Sequence, residues 1–244
     1  MPAPVIGVPP GAERVRLAVA WRFGLILVGA AAVAVEMARQ LLPAVSPART
    51  PGGPSPLAGW VVALDPGHGG ADSGVRYGDL LEKDINLDVA LRLQAYLEQE
   101  DARVVLTRAS DDLPWTGARR SLEVRLQQAL AGEARAFVSI HANSYPDPSQ
   151  FGAQTFFHPS SQASRRLALL IQQELVRLQP ENYREALAAD YFVLRLCHCP
   201  AVLVEVGFLS NPDDRRRLQD PRWRGQLAAA IHQGLRRFAA GESP

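Results

Sequence analysis

Between residues 60 and 240 the chain alternates short apolar runs with longer stretches whose apolar positions recur every three or four residues. The short runs at 60–64, 103–106, 134–140, 153–157, 191–196 and 201–205 read as strands. The longer stretches read as helices. They are 83–99, with Ile85, Val89, Leu93, Tyr96 and Leu97 on one face, and 119–130, with Leu122, Leu126, Ala129 and Leu130. Two more are 163–179, with Leu167, Leu170, Ile171, Leu175 and Leu178, and 225–239, with Leu227, Ile231, Leu235 and Phe238. Residues 109–118 and the Pro-containing 145–152 read as loops, and no internal repeat is visible. The runs at 60–64, 134–140 and 201–205 are almost wholly apolar rather than alternating. That is the mark of strands buried on both faces of a mostly parallel sheet, so the expected class is α/β, a single domain with a twisted sheet flanked by helices.

The first 59 residues break this pattern. Nine of the 19 prolines precede Trp60. Residues 1–13 contain Pro2, Pro4, Pro9 and Pro10 and read as a disordered tip. Arg14, Arg16 and Arg22 then lead into an uncharged run at 23–35. Thirteen residues are short for a span of about 20, but a segment from Leu17 with Arg22 snorkelling is long enough to cross. The segment reads either as an uncleaved N-terminal anchor or as a cleaved signal peptide with a small-residue cleavage region at 31–34. A buried soluble helix has no partner to pack on before Trp60. On either reading the arginines hold the N-terminal side in the cytoplasm and the rest is exported. Residues 43–59, with Pro43, Pro47, Pro51, Gly52, Gly53, Pro54 and Pro56, read as an extended linker. The expected organisation is therefore 1–42 cytoplasmic tip and membrane anchor or signal, 43–59 linker, and 60–240 folded domain.

Composition adds exclusions. With 26 Lys+Arg against 25 Asp+Glu the formal charge is +1, which argues against nucleic acid held by bulk charge. Hydrophobic residues at 47% and charged residues at 21% give a globular balance. Two cysteines cannot build a disulfide framework. Lys83 is the single lysine among the 26 basic residues.

Chemistry in an open α/β sheet gathers beyond the carboxyl ends of the strands. There the run 60–64 leads into Asp65-Pro66-Gly67-His68, 134–140 into His141-Ala142-Asn143, and 201–204 into Glu205. Glu82 opens the helix that follows the first strand and can face the same edge. Alone, each has a bland explanation: a loop histidine, or a glutamate favoured by the helix dipole. Glu205 is harder to dismiss, because it ends an apolar run where an unpaired carboxylate is costly. Two imidazoles and two carboxylates at one edge suit a catalytic zinc, with three protein ligands and a fourth position for water. Asn86, Asn143, Ser144 and Arg195 are candidates for the edge of the site.

Other motifs yield less. The stretch Gly67-His68-Gly69-Gly70-Ala71-Asp72-Ser73-Gly74 follows a strand, yet it matches neither the dinucleotide pattern nor the phosphate-loop pattern. It reads as pliant backbone that carries His68 to a metal. Cys197-His198-Cys199 sets three ligand types in a row, but no second cysteine pair completes four. It reads as a loop before Pro200 with small, half-buried thiols. His158 and His232 have no evident partners.

Four segments carry a resemblance: Val61-Val62-Ala63-Leu64-Asp65-Pro66-Gly67-His68-Gly69-Gly70, Leu81-Glu82-Lys83-Asp84-Ile85-Asn86-Leu87, Val138-Ser139-Ile140-His141-Ala142-Asn143, and Leu203-Val204-Glu205-Val206-Gly207-Phe208-Leu209-Ser210-Asn211. In this order they resemble the zinc-dependent N-acetylmuramoyl-L-alanine amidases of the amidase type 3 family, over about 60 to 240. Gly152-Ala153-Gln154-Thr155-Phe156-Phe157 and Tyr191-Phe192-Val193-Leu194-Arg195 look like the germination-specific, spore-cortex members, which tend to carry a short N-terminal membrane segment. The resemblance implies a mostly parallel, roughly six-stranded sheet. It also implies one zinc ion with a bound water held by His68, Glu82 and His141, and Glu205 as the catalytic carboxylate.

The implied reaction is hydrolysis of the amide between N-acetylmuramic acid and L-alanine in peptidoglycan, in spore cortex maturation or wall remodelling. The expected partners are peptidoglycan and, through the N-terminal segment, the membrane, with no nucleic acid. Some members carry an inhibitory helix after the fourth strand. Here only residues 158–162 separate that strand from the next helix, so control is expected from expression, location or a protein partner. The competing readings are a zinc deacetylase of wall polysaccharide and a wall-binding module without activity.

Overall fold

The computed structural model describes residues 54–111 and 118–244. The proposed anchor or signal at 1–42, the start of the linker and most of the 109–118 loop lie outside the described residues. Among the described residues no helix is long and apolar enough to cross a membrane.

In chain order the elements are β1 (Val61–Pro66), β2 (Arg76–Tyr77), β3 (Leu80–Leu81), α1 (Glu82–Glu98), β4 (Arg103–Leu106), α2 (Ala118–Ala131), β5 (Ala136–Asn143) and β6 (Gln154–Phe157). They continue with α3 (Gln162–Leu178), β7 (Leu187–Ala188), α4 (Phe192–Leu196), β8 (Ala201–Phe208), α5 (Pro212–Gln219) and α6 (Pro221–Ala239). Six strands form one sheet in the order β4-β1-β5-β8-β6-β7. The β4, β1, β5 and β8 strands run parallel, β6 runs antiparallel to β8, and β7 runs parallel to β6. The α/β class and the mostly parallel sheet are as the pattern of apolar runs predicted.

Strand periodicity decides which side chains meet which helices. Val62 and Leu64 of β1, Val138 and Ile140 of β5, and Val202 and Val204 of β8 pack into one large core with Val89 and Leu93 of α1, Leu167 and Ile171 of α3, and Ile231 and Leu235 of α6. The intervening residues Ala63, Phe137, Ala201 and Leu203 face a smaller core with Ala129 of α2 and Val193 and Leu194 of α4. Continued toward the carboxyl ends, this second set becomes Asp65, Ser139, His141 and Glu205. The sheet thus turns from apolar to polar on one face at one edge. The side chains of Leu122 and Leu130 fall outside the described residues.

Three expectations need correction. The run 191–196 is the short helix α4 and not a strand. Its amides of Leu194 and Arg195 bond to the Tyr191 carbonyl at 3.1 and 2.9 Å, and the adjacent Val193 and Leu194 are both buried. The sixth place in the sheet goes instead to β7, too short to leave an apolar run. Second, α5 went unread because it is almost wholly polar. Its signals are local: Asn211 accepts from the amides of Asp213 and Asp214 at 3.0 Å, and Pro212 opens the helix. Third, the ordered fold starts before Trp60. Leu57, assigned to the linker, is fully buried in the main core, and Ser55 donates to Glu100. A Pro56 turn lets one apolar side chain reach the core without any helix or strand.

Candidate metal centre and active site

His141 and Glu205 are held by the ladder itself, as register partners on β5 and β8. A bulge follows between His141 and Asn143, where a strand commonly re-aims its side chains beside a site. Glu82 arrives from the first turn of α1, where the positive end of the helix dipole favours a carboxylate. His68 sits on the loop after β1 with φ of 61°, a left-handed conformation that costs a non-glycine residue about 1–2 kcal/mol.

The cluster centres on Glu82. Its Oε1 lies 3.1 Å from His68 Nε2 and 3.0 Å from His141 Nδ1, and accepts from the Ala142 amide at 3.2 Å. Its Oε2 accepts from the Val75 amide at 2.9 Å, and Asn86 Nδ2 donates to Oε1 at 3.3 Å. Donor atoms of His68, Glu82 and His141 all lie within 4.8 Å of one another. The two imidazoles meet edge to face at 5.0 Å between centroids. Glycine is required where the backbone crosses this cluster. A Cβ on Gly67 would overlap the His141 ring, and one on Gly74 would lie 2.5 Å from Glu82 Oε2.

Electrostatics follow from that packing. Burial opposes the charge on Glu82, but both histidines outweigh it and hold the carboxyl below the usual range. Burial also opposes charging of His68, yet Glu82 and Asp72 together raise its pKa to about 9. The second ring nitrogen of His68, Nδ1, is 2.8 Å from Asp72 Oδ2, which fixes the ring orientation. Glu205 is the opposite case. Burial, reinforced by the charge of Glu82 and opposed by the histidines, pushes its pKa up to about 7. Its Oε2 is buried with no hydrogen-bond partner. A native buried polar atom without a partner points to a group that completes it.

The loop bearing His68 is gripped from below by two buried arginines. Arg108 donates to the carbonyls of Pro66 at 2.9 Å, Gly67 at 3.0 Å and Lys83 at 2.7 Å. Arg125 donates to Asp65 Oδ1 at 2.9 Å, to the Pro66 carbonyl at 2.6 Å and to the His68 carbonyl. Asp65 also accepts from Thr107 at 2.6 Å and Ser139 at 2.7 Å. Burial opposes its charge, but Arg125 with these hydroxyls keeps the carboxyl below the ordinary range. From above, Lys83 Nζ ties the Gly70 carbonyl at 2.9 Å to Asp111 Oδ2 at 2.5 Å.

The structure brings together all four residues picked out at the strand ends. Of the edge candidates, Asn86 touches the cluster directly. Asn143 caps its own turn at the Ser144 amide, and Arg195 pairs with Asp190 at 2.7 Å. His158 lies 3.4 Å from Asp190, and His232 lies 3.1 Å from Glu100, so both have partners far along the chain. Arg108, Arg125, Asp65 and Asp72 were missed. Arg125 had a visible signal, because it shares the apolar stripe with Ala129, one helical turn on.

Ligand atoms converging around one carboxylate, beside a second whose Oε2 has no partner among the described residues, make this edge of the sheet the candidate catalytic site. The chain belongs to the N-acetylmuramoyl-L-alanine amidase family, whose pattern matches residues 62–237. It is similar to the germination-specific N-acetylmuramoyl-L-alanine amidase of Bacillus subtilis, 36% identical over 192 residues that span 75% of this chain and 81% of that protein. It is equally identical, at 36%, to the B. subtilis amidase LytC over 182 residues, 74% of this chain but 36% of that longer protein. Among solved structures it matches the CwlD amidase from Clostridioides difficile, determined in complex with the GerS lipoprotein. There the TM-score is 0.70 and the identity 33%, over 75% of this chain and 100% of that one. The chain is thus an enzyme that hydrolyses the amide between N-acetylmuramic acid and L-alanine.

Proposed function

We propose that the reaction depends on one zinc ion held by His68, Glu82 and His141, with Glu205 as the catalytic carboxylate. The observation that carries this is the convergence of three donor atoms within 4.8 Å beside the orphaned Glu205 Oε2. Two imidazoles and one carboxylate are a donor set suited to catalytic zinc. When bound, zinc polarises the scissile carbonyl and acidifies water. Glu205 accepts the proton of the attacking water and delivers it to the departing amine of L-alanine. A carboxyl with a pKa near 7 can do both at neutral pH. Asp72 fixes the ring of His68, and Asn86 and the Ala142 amide fix Glu82, so the donors are aimed before substrate arrives.

The enzyme acts outside the cytoplasm on peptidoglycan, with residues 1–42 as anchor or signal and the part of the 43–59 linker before Ser55 and the buried Leu57 as the tether. The arginines before the apolar run at 23–35 support this reading. The names of the relatives support a role in spore cortex maturation or cell-wall remodelling. The GerS complex of CwlD supports an accessory protein partner.

The test is incubation of the full chain with purified peptidoglycan, with and without a chelator, followed by mass analysis of the products. Free stem peptides beginning with L-alanine are expected, lost with chelator and restored by zinc. Acetate without stem peptides would mean a deacetylase, and activity indifferent to the chelator would exclude the zinc.

A further inference from the structure

At the other edge of the sheet lies a feature the hydrolase does not use. Cys197 and Cys199 are the only cysteines in the chain. Their sulfurs are 3.0 Å apart, and both are half-buried. They line a pocket of about 210 Å3 together with His198, Ala129, Glu133 and Ala134. These residues come just before β5 and β8, at the amino ends of the strands whose later positions hold His141 and Glu205. From Ala201 to Glu205 is four residues along β8, roughly 13 Å at strand rise, so the pocket is separate from the amidase site.

The fold brings the two thiols together by pinning both flanks. On one side Val193 and Leu194 of α4 are buried in the smaller core. On the other, the Pro200 carbonyl accepts from the Phe137 amide at 2.9 Å, which docks the chain against β5. Between the end of α4 at Leu196 and Pro200 the bend is three residues long, and both cysteines pack against the smaller core. A disulfide needs the sulfurs about 1 Å closer than they are, within reach of side-chain rotation.

We infer that Cys197-His198-Cys199 is a dithiol site that reacts with external disulfides, small-molecule or protein, and closes to a Cys197–Cys199 disulfide. The Cys197 thiolate attacks one sulfur of the incoming disulfide, forming a mixed disulfide and releasing one thiolate. The Cys199 thiolate then attacks the Cys197 sulfur and releases the second. Two protein thiols are oxidised, the external disulfide is reduced, and the two protons lost by the protein thiols end on the two released thiolates, giving two thiols. Either sulfur can attack first, because either can donate in the contact between them and so favour its neighbour's thiolate; Cys197 first is one of two equivalent orders. The pocket admits the partner to the sulfurs, and His198 and Glu133 are the polar groups at its wall.

The experiment equilibrates the reduced full chain with mixtures of reduced and oxidised glutathione, then alkylates and weighs it. The expected product is a monomer 2 Da lighter with no alkylated thiol, a loss set by two hydrogens. Half-closure is expected at a ratio of oxidised to reduced glutathione at least about tenfold more reducing in the folded chain than in denaturant, because the fold pre-pairs the sulfurs. Cys199→Ser is expected to trap one glutathione on Cys197, and Cys197→Ser to trap one on Cys199. Equal closure folded and denatured, two retained glutathiones, a disulfide-linked dimer, or two thiols that stay alkylatable would each overturn the proposal. None of these readouts involves peptidoglycan, so the result stands or falls separately from the amidase reading.

Discussion

The proposed active site has two halves built by different means. His141 and Glu205 stand on adjacent parallel strands, and their spacing is set by the hydrogen-bonded ladder. His68 stands on a loop with left-handed backbone, and its place is set by side chains reaching in from α2 and from the loop after β4. The sheet provides preorganisation as a by-product of folding. The loop has to be clamped, and its clamp consists of charged groups that burial makes costly unless every one is paired.

Three variants test that contrast, beginning with the largest effect. On the strand side, Glu205→Gln keeps shape and register but removes the proton acceptor. Hydrolysis should fall by about 10²–10⁴-fold, with zinc content by atomic emission unchanged. Loss of metal would make Glu205 a ligand and the strand half a binding element.

On the loop side, Arg125→Met leaves Asp65 buried without its ion-pair partner, held only by Thr107 and Ser139. It should cost about 3–5 kcal/mol in urea unfolding and weaken zinc by about 10–100-fold. Adding Asp65→Asn should return most of the stability and little of the zinc affinity. Full recovery of both would show that Arg125 only balances a charge and does not aim His68.

A third region, remote from both halves, gives the smallest effect and calibrates the others. Burial holds the His232 ring below its ordinary pKa of 6.5, with Glu100 opposing and Arg236 reinforcing, while Tyr96 stacks on it at 5.5 Å. The unfolded chain therefore takes up the proton first. The contribution of His232 is complete above about pH 6.5 and is lost as pH falls below it. Between about pH 7.5 and about pH 5.5 the parent should lose more Tm than His232→Phe does. Parallel curves would remove His232 from the acid limb.

The two halves also differ in how well the sequence announced them. A buried parallel strand is a dense apolar run, and whatever polar residue ends it stands out, which exposed His141, Glu205 and Asp65-Pro66-Gly67-His68. The clamp is invisible to that logic. Arginine makes up all but one of the basic residues here, so Arg108 in its loop does not stand out by type, and only the place of Arg125 on an apolar helix stripe hints at burial. Short elements failed for a related reason. Residues 191–196 are apolar but too few to show a period, and β7 has two exposed residues with no pattern at all. What positioned α4 was tertiary: Val193 and Leu194 needed to cover Ala63, Phe137 and Leu203.

Lys83 spans the gap between the His68 loop and Asp111, and it is the only lysine in 244 residues. Amine-directed reagents therefore meet one side chain on this protein besides the terminal amino group. That side chain is only 13% exposed and its amine is paired with Asp111, so it should react more slowly than the terminal one. A preference for arginine thus leaves the protein with one internal amine, whose rate of modification reports whether the tie between the His68 loop and Asp111 is closed.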